Sequence, residues 1–246
     1  MKKKLVTGAL LCAFGAVAVT GGTLAYFTDT DAETNTFTTG NVAIDLEETF
    51  VQNSKLLPTT GKDAQGNVKN AVKKEVWVKN TGTEDAYVRV HIAIPDILDD
   101  GAETFDASKN VLHFNYAPES VGAGLWDWSK ANDDGKYEGN WNSYPETING
   151  VDYNVYVVTY GTALKSGAET AQYAMNQVYL DSEVTNEDVT KINAALKEVG
   201  GINIKVVAEG TQAAGFDDAY TALNKAFGIP GEYDVDWSGA GVEEQA

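Results

Sequence analysis

The strongest constraint on this chain is a repeated period of two. Val88, Val90, Ile92 and Ile94 alternate with Tyr87, Arg89, His91 and Ala93, which fits a strand with one face on a core, because successive side chains point to opposite sides. Val42, Ile44 and Leu46 alternate with Ala43, Asp45 and Glu47, and the pattern returns at Val151, Tyr153, Val155 and Val157 and at Ile202, Ile204, Val206 and Ala208. Val76-Trp77-Val78, Leu112-His113-Phe114 and Val178-Tyr179-Leu180 are shorter candidates. Asn80-Thr81-Gly82, Asn149-Gly150 and Gly200-Gly201 supply turn chemistry before or between these segments. The expected class is mainly β: an antiparallel, jelly-roll-like β-sandwich.

Two short α-helices are expected to decorate it. The first starts from an Asn186 cap, carries Val189, Ile192, Leu196 and Val199 at helical spacing and stops at Gly200. The second places Phe216, Ala219, Tyr220, Leu223 and Phe227 on one stripe, with Asp217 and Asp218 at its positive end and Gly228 and Pro230 beyond. No repeat, proline-rich linker or composition break divides residues 41–230, which are read as one domain. Residues 231–246 are read as an acidic tail.

Acids outnumber bases by 36 to 18, a net charge of −18. Such a surface repels phosphate backbones, so nucleic acid is excluded as a partner. The one cysteine, Cys12, rules out an intramolecular disulfide, and two histidines cannot build a Cys- or His-rich zinc cluster. Met1-Lys2-Lys3-Lys4, the uncharged run Leu5–Leu24 and small residues around Thr23-Leu24-Ala25 have the layout of a secretory signal peptide over residues 1–25. Cleavage is expected between Ala25 and Tyr26, which discards Cys12 and leaves a polar leader over residues 26–40.

The residues around that cut are more specific than a generic signal. Gly21-Gly22-Thr23-Leu24-Ala25-Tyr26-Phe27-Thr28-Asp29 and Asn35-Thr36-Phe37-Thr38-Thr39-Gly40-Asn41-Val42 resemble the start of the bacterial TasA/camelysin-type family. Lys74–Gly82 followed by Ala86-Tyr87-Val88-Arg89-Val90 resembles a hairpin of the same family, as Gln177–Leu180 and Ala208–Gln212 resemble later strands. The resemblance implies a β-sandwich exported from a Gram-positive cell, a SipW-type signal peptidase as processing partner, and a place in a biofilm matrix or surface coat. It further implies fibres in which the leader enters a neighbouring copy as a donated strand, built of this chain alone or with an accessory matrix protein as a further partner. Phe27, Thr36, Phe37, Thr38 and Val42 are the residues expected in that intersubunit strand. Thr34, Thr36 and Thr38 alternate with Asn35, Phe37 and Thr39, so the backbone can pair with an edge while Phe37 fills a groove. The plainer alternative is a flexible leader.

The camelysin branch is classed as metallopeptidases, so the resemblance also raises zinc. A zincin places His-Glu-x-x-His on one helix face, a motif missing here, and both His91 and His113 are expected to be structural or solvent-facing. No metal or catalytic residue is assigned, and no cofactor is expected. Calcium remains open at the oxygen-rich turns Asp29–Glu33, Asp99-Asp100-Gly101 and Asn132–Gly135, although none completes a spaced ligand loop. Leu57-Pro58-Thr59-Thr60-Gly61 spells a sortase pentapeptide, but sorting needs it near the C terminus ahead of an apolar stretch, so the match is read as coincidence.

Aromatics crowd residues 116–160. If exposed, Trp126, Trp128 and Trp141 form an adhesive face for sugars or a protein partner. The alternative is a hairpin excursion that packs its own aromatics on the sandwich edge.

Overall fold

The computed structural model describes residues 40–50, 54–99, 111–114, 126–127, 129–131, 137–141, 143–238 and 240. Nine of its strands form two antiparallel sheets. The first sheet holds β1 (Ile44–Phe50), β2 (Val72–Asn80), β4 (Leu112–Phe114) and β10 (Met175–Leu180) in the order β1-β2-β10-β4. The second runs from β11 (Lys205–Gln212) through β3 (Ala86–Pro95) to β9 (Val151–Tyr160), whose far edge takes both β5 (Trp126–Asp127) and β8 (Ser143–Ile148). β6 (Ser129–Ala131) and β7 (Tyr137–Trp141) pair as a separate hairpin.

The core lies between the sheets. Val76 and Val78 of β2, Val88, Val90, Ile92 and Ile94 of β3, Phe114 of β4 and Met175 of β10 are nearly inaccessible and belong to one cluster. All but Met175 are residues that the sequence pattern assigns to strands. Asn149 and Gly150 join β8 to β9 with φ of 54° and 81°, the left-handed pair that a tight hairpin requires.

β3 departs from the expected half-buried strand, because all ten of its residues are buried. Its outer face is covered by α2 (Ala219–Phe227), through Ala222 and Leu223 against Tyr87, and by the segment that follows, through Val235 and Trp237 against Ala93 and Val155. The boundary expected at residue 230 therefore falls inside the fold. Tyr233, Val235 and Trp237 face the sheet while Asp234, Asp236 and Ser238 face outward, so the acidic residues belong to the solvent side of a packed segment.

Two smaller expectations are corrected by hydrogen bonding. Helix α1 (Asn186–Ala195) is capped by Thr185, whose hydroxyl accepts from the Asp188 N–H while the Asp188 carboxylate accepts from the Thr185 N–H at 2.9 Å. Ile192 and Leu196 are buried, whereas Val199 sits in a following 3-10 turn and is 38% exposed. β11 begins at Lys205, so Ile202 and Ile204 lie ahead of its ladder.

Candidate functional site

β1 and β11 are the outer strands of their sheets on the same side of the sandwich: β1 pairs with β2, and β11 with β3. At one end they touch. A Cβ built on Gly210 would stand 2.9 Å from Ile44 Cγ2, so glycine is what permits that approach. Toward the other end they diverge and leave a cleft of about 1370 Å3. All residues from Leu46 to Phe50 line it, which turns the free edge of β1 toward the opening, and Ile202, Ile204 and Val206 line the opposite wall. Leu180 and Ile192 contribute further apolar surface.

A sandwich normally closes such a side with a strand or a loop, since open edges and exposed core surface both invite association. Here core residues reach the cleft: Val178, Leu180, Ile192 and Val206 belong to the main cluster, with Leu46, Ile202 and Ile204 packed partly against it. The chain enters the fold at the closed end. Asn41 O accepts from the Thr83 N–H at 2.8 Å and Ala43 O from the Thr81 N–H at 2.9 Å, while Asn80, fully buried, donates its amide to the carbonyls of Glu84 and Leu164 and fixes that turn.

One charged side chain is buried inside the cleft. Lys74 continues the inward row of Val76 and Val78, is 3% exposed, pairs with Glu48 of β1 and carries its ammonium 4.9 Å from the centre of the Phe50 ring.

A second buried polar group lies on the other side of the molecule, beneath α2 and residues 228–240. Arg89 donates to Glu209 Oε2 at 2.6 Å, to Asn224 Oδ1 at 2.9 Å, to the Gly228 carbonyl at 3.2 Å and to the Tyr233 hydroxyl at 2.7 Å. His91, with no exposed surface, has Nε2 3.1 Å from Glu209 and Nδ1 3.3 Å from the Tyr144 hydroxyl. Burial pushes the His91 pKa down from 6.5. Burial also acts to raise Glu209, but the hydrogen bond and charge at His91 together with those of Arg89 outweigh it and hold the carboxyl at about 2. The Tyr144 and Tyr233 hydroxyls are pushed upward, first by burial.

The geometry and the motifs meet in one comparison. Residues 1–93 match the camelysin metallo-endopeptidase family model. The match takes in the leader, β1, β2 and most of β3, so the camelysin-like part of the chain holds the β1 wall of the cleft and Lys74. No curated protein matches the chain.

The camelysin description implies a metal, and the described residues do not assemble a ligand set for one. His91 and His113, the two histidines of the chain, stand on different sheets. His91 shares its carboxylate with the Arg89 guanidinium, and His113 Nε2 lies 2.7 Å from Asp181. Among the described residues no three His, Cys, Asp or Glu side chains lie together as metal ligands. We derive no step through a metal.

The expected site residues distribute as follows. Ala25, Tyr26, Phe27, Thr36, Phe37, Thr38 and Trp128 lie outside the described residues. Val42 is half-buried on the main core beside Gly210 and Thr211, at the closed end of the β1–β11 side. Trp141 is placed by its backbone in β7. Trp126 is withdrawn from any exposed face: it is 5% exposed, its indole donates to the Gln172 carbonyl at 2.8 Å, and it packs edge-on against Tyr160. Of the calcium turns, Asp99 is described; it is 1% exposed and accepts from the Tyr156 hydroxyl at 2.6 Å. Sequence reasoning missed the cleft and its lysine, although a lysine in register with Val76 and Val78 is a visible signal.

Proposed function

We propose that this protein is an exported structural subunit that polymerises into extracellular fibres, each copy donating its leader, residues 26–40, as a strand to the next. A SipW-type signal peptidase cutting between Ala25 and Tyr26 frees the leader, and the fibres belong to a biofilm matrix or surface coat of a Gram-positive cell. The observation that carries the reading is the open side of the sandwich, where the free edge of β1 and residues 202–206 flank a cleft of about 1370 Å3 whose lining includes residues of the main core. Backbone pairing along such an edge supplies affinity, and alternate side chains supply specificity. A head-to-tail contact of this kind does not close on itself, so it propagates.

The test compares purified residues 26–246 with a chain beginning at Ile44, by electron microscopy and light scattering. Filaments from the longer chain alone are expected. Monodisperse monomers from both overturn the reading. The camelysin family description favours a second reading, a secreted metallopeptidase, which requires chelator-sensitive hydrolysis and stoichiometric zinc in the same preparation.

A further inference from the structure

Lys74 occupies a position that the fold of one copy does not explain. Withdrawing an ammonium from water costs several kcal/mol unless good partners compensate for it. Among the described residues its carboxylate partner is Glu48, whose side chain is 33% exposed at the cleft mouth, and an ammonium offers three donors. Lys74 therefore presents donor capacity to whatever fills the cleft.

The leader carries matching chemistry. In an extended chain Phe27, Asp29, Asp31, Glu33, Asn35 and Phe37 share one face, and Tyr26, Thr28, Thr30, Ala32, Thr34, Thr36 and Thr38 share the other. A strand that turns Phe37 into an apolar cleft must turn its acids inward as well. An inward carboxylate is tolerable only beside a cation, and Lys74 is the buried cation among the residues lining the cleft.

The register follows from spacing. Lys74 lies opposite Phe50, at the open end of β1. Phe50 and Leu46 are as far apart along β1 as Glu33 and Phe37 are along the leader, roughly 13 Å. An incoming strand running antiparallel to β1 thus brings Glu33 to Phe50 and Lys74 while Phe37 reaches Leu46. Asn35 then faces Glu48, to which its amide can donate. Asp31 in the place of Glu33 would carry Phe37 beyond Leu46, toward the end closed by Ile44 and Gly210.

The same register requires the strand to come from a second copy. Within one chain, Phe37 beside Leu46 demands a tight reversal at Asn41-Val42. Those residues instead run along the turn after β2, with the carbonyls of Asn41 and Ala43 engaged by Thr83 and Thr81.

Resting on the fibre reading above, we infer that Lys74 sets the register of the donated strand by pairing with Glu33 of the neighbouring copy. The test uses residues 26–246 carrying Glu33→Lys, Lys74→Glu or both. Each single reversal is expected to lower the filament yield, read by light scattering and microscopy, about tenfold, the effect of a modest free-energy difference at each junction. The double reversal is expected to restore it. Glu33→Lys lies in the leader and leaves the sandwich intact, and circular dichroism establishes that the Lys74→Glu body is folded. Unchanged yield for Glu33→Lys, or no recovery in the double variant with a folded body, overturns the pairing while leaving the fibre reading in place. Absence of filaments from the unmodified chain overturns the fibre reading itself, and this pairing with it.

Discussion

Arg89 and Lys74 are both buried cations, at 2% and 3% exposure, on inner strands of their respective sheets, yet their surroundings differ. Arg89 is sealed under α2 and residues 228–240, and its guanidinium reaches four acceptors on three parts of the chain: Glu209, Asn224, the Gly228 carbonyl and Tyr233. Its main counter-ion, Glu209, is itself only 10% exposed. Among the described residues Lys74 has one carboxylate partner, Glu48, whose side chain is 33% exposed. The first arrangement is closed and holds the molecule together. The second is open on one side, which is the physical sense in which the cleft, unlike the Arg89 cluster, is a site for another chain.

The comparison breaks if the two cations contribute alike. Arg89→Met leaves Glu209 buried without its guanidinium and is expected to cost about 3–5 kcal/mol, read as a lower urea midpoint. A loss below about 1 kcal/mol would show that the network is not a fastening.

Acid sharpens the same contrast. Because His91 in the folded protein is pushed below 6.5, the unfolded chain takes up the proton first, and stability present above about 6.5 declines as the pH falls below it. Glu209, held at about 2 against an ordinary 4.5, adds stability above about 4.5 that is lost as the pH falls toward about 2. Denaturation midpoints at pH 7.5, 5.5 and 3.5 should fall in that order, and His91→Gln should flatten the first step. A midpoint that stays level from 7.5 to 5.5 contradicts the assignment.

The smallest effect is expected at the cleft. Lys74→Met keeps the apolar stem and leaves Glu48 partly in water, so its change in stability should lie within about 1 kcal/mol of zero. A loss as large as that of Arg89→Met would make Lys74 a structural residue of the single copy.

The core was legible because its signal is local. Alternation at Val88–Ile94 and Val151–Val157 locates β3 and β9, and Asn149-Gly150 marks the turn ahead of β9, from neighbouring residues alone. The outer covering of β3 was not legible: Arg89 and His91 read as a polar face, and Asp234 and Asp236 made residues 231–246 read as a solvated tail. The alternation Tyr233, Val235, Trp237 was the available signal, diluted by those acids and by Gly231. The cleft has no local signal, since its walls come from β1, from residues 202–206 and from α1, brought together only by the packing of two sheets. Trp126 shows the converse limit, because composition marks an aromatic cluster but does not say which side of a sheet receives it.

The central claim is that a strand from another copy enters between β1 and β11. Hydrogen–deuterium exchange with peptide-level mass spectrometry, comparing filaments of residues 26–246 with the monomeric fraction of the same chain, tests it most directly. The account predicts that backbone amides in residues 44–50 and in the leader become protected on assembly, while β3 and β9, already internal, change little. Filaments in which residues 44–50 exchange as fast as in the monomer, with new protection confined to other surfaces, would contradict it.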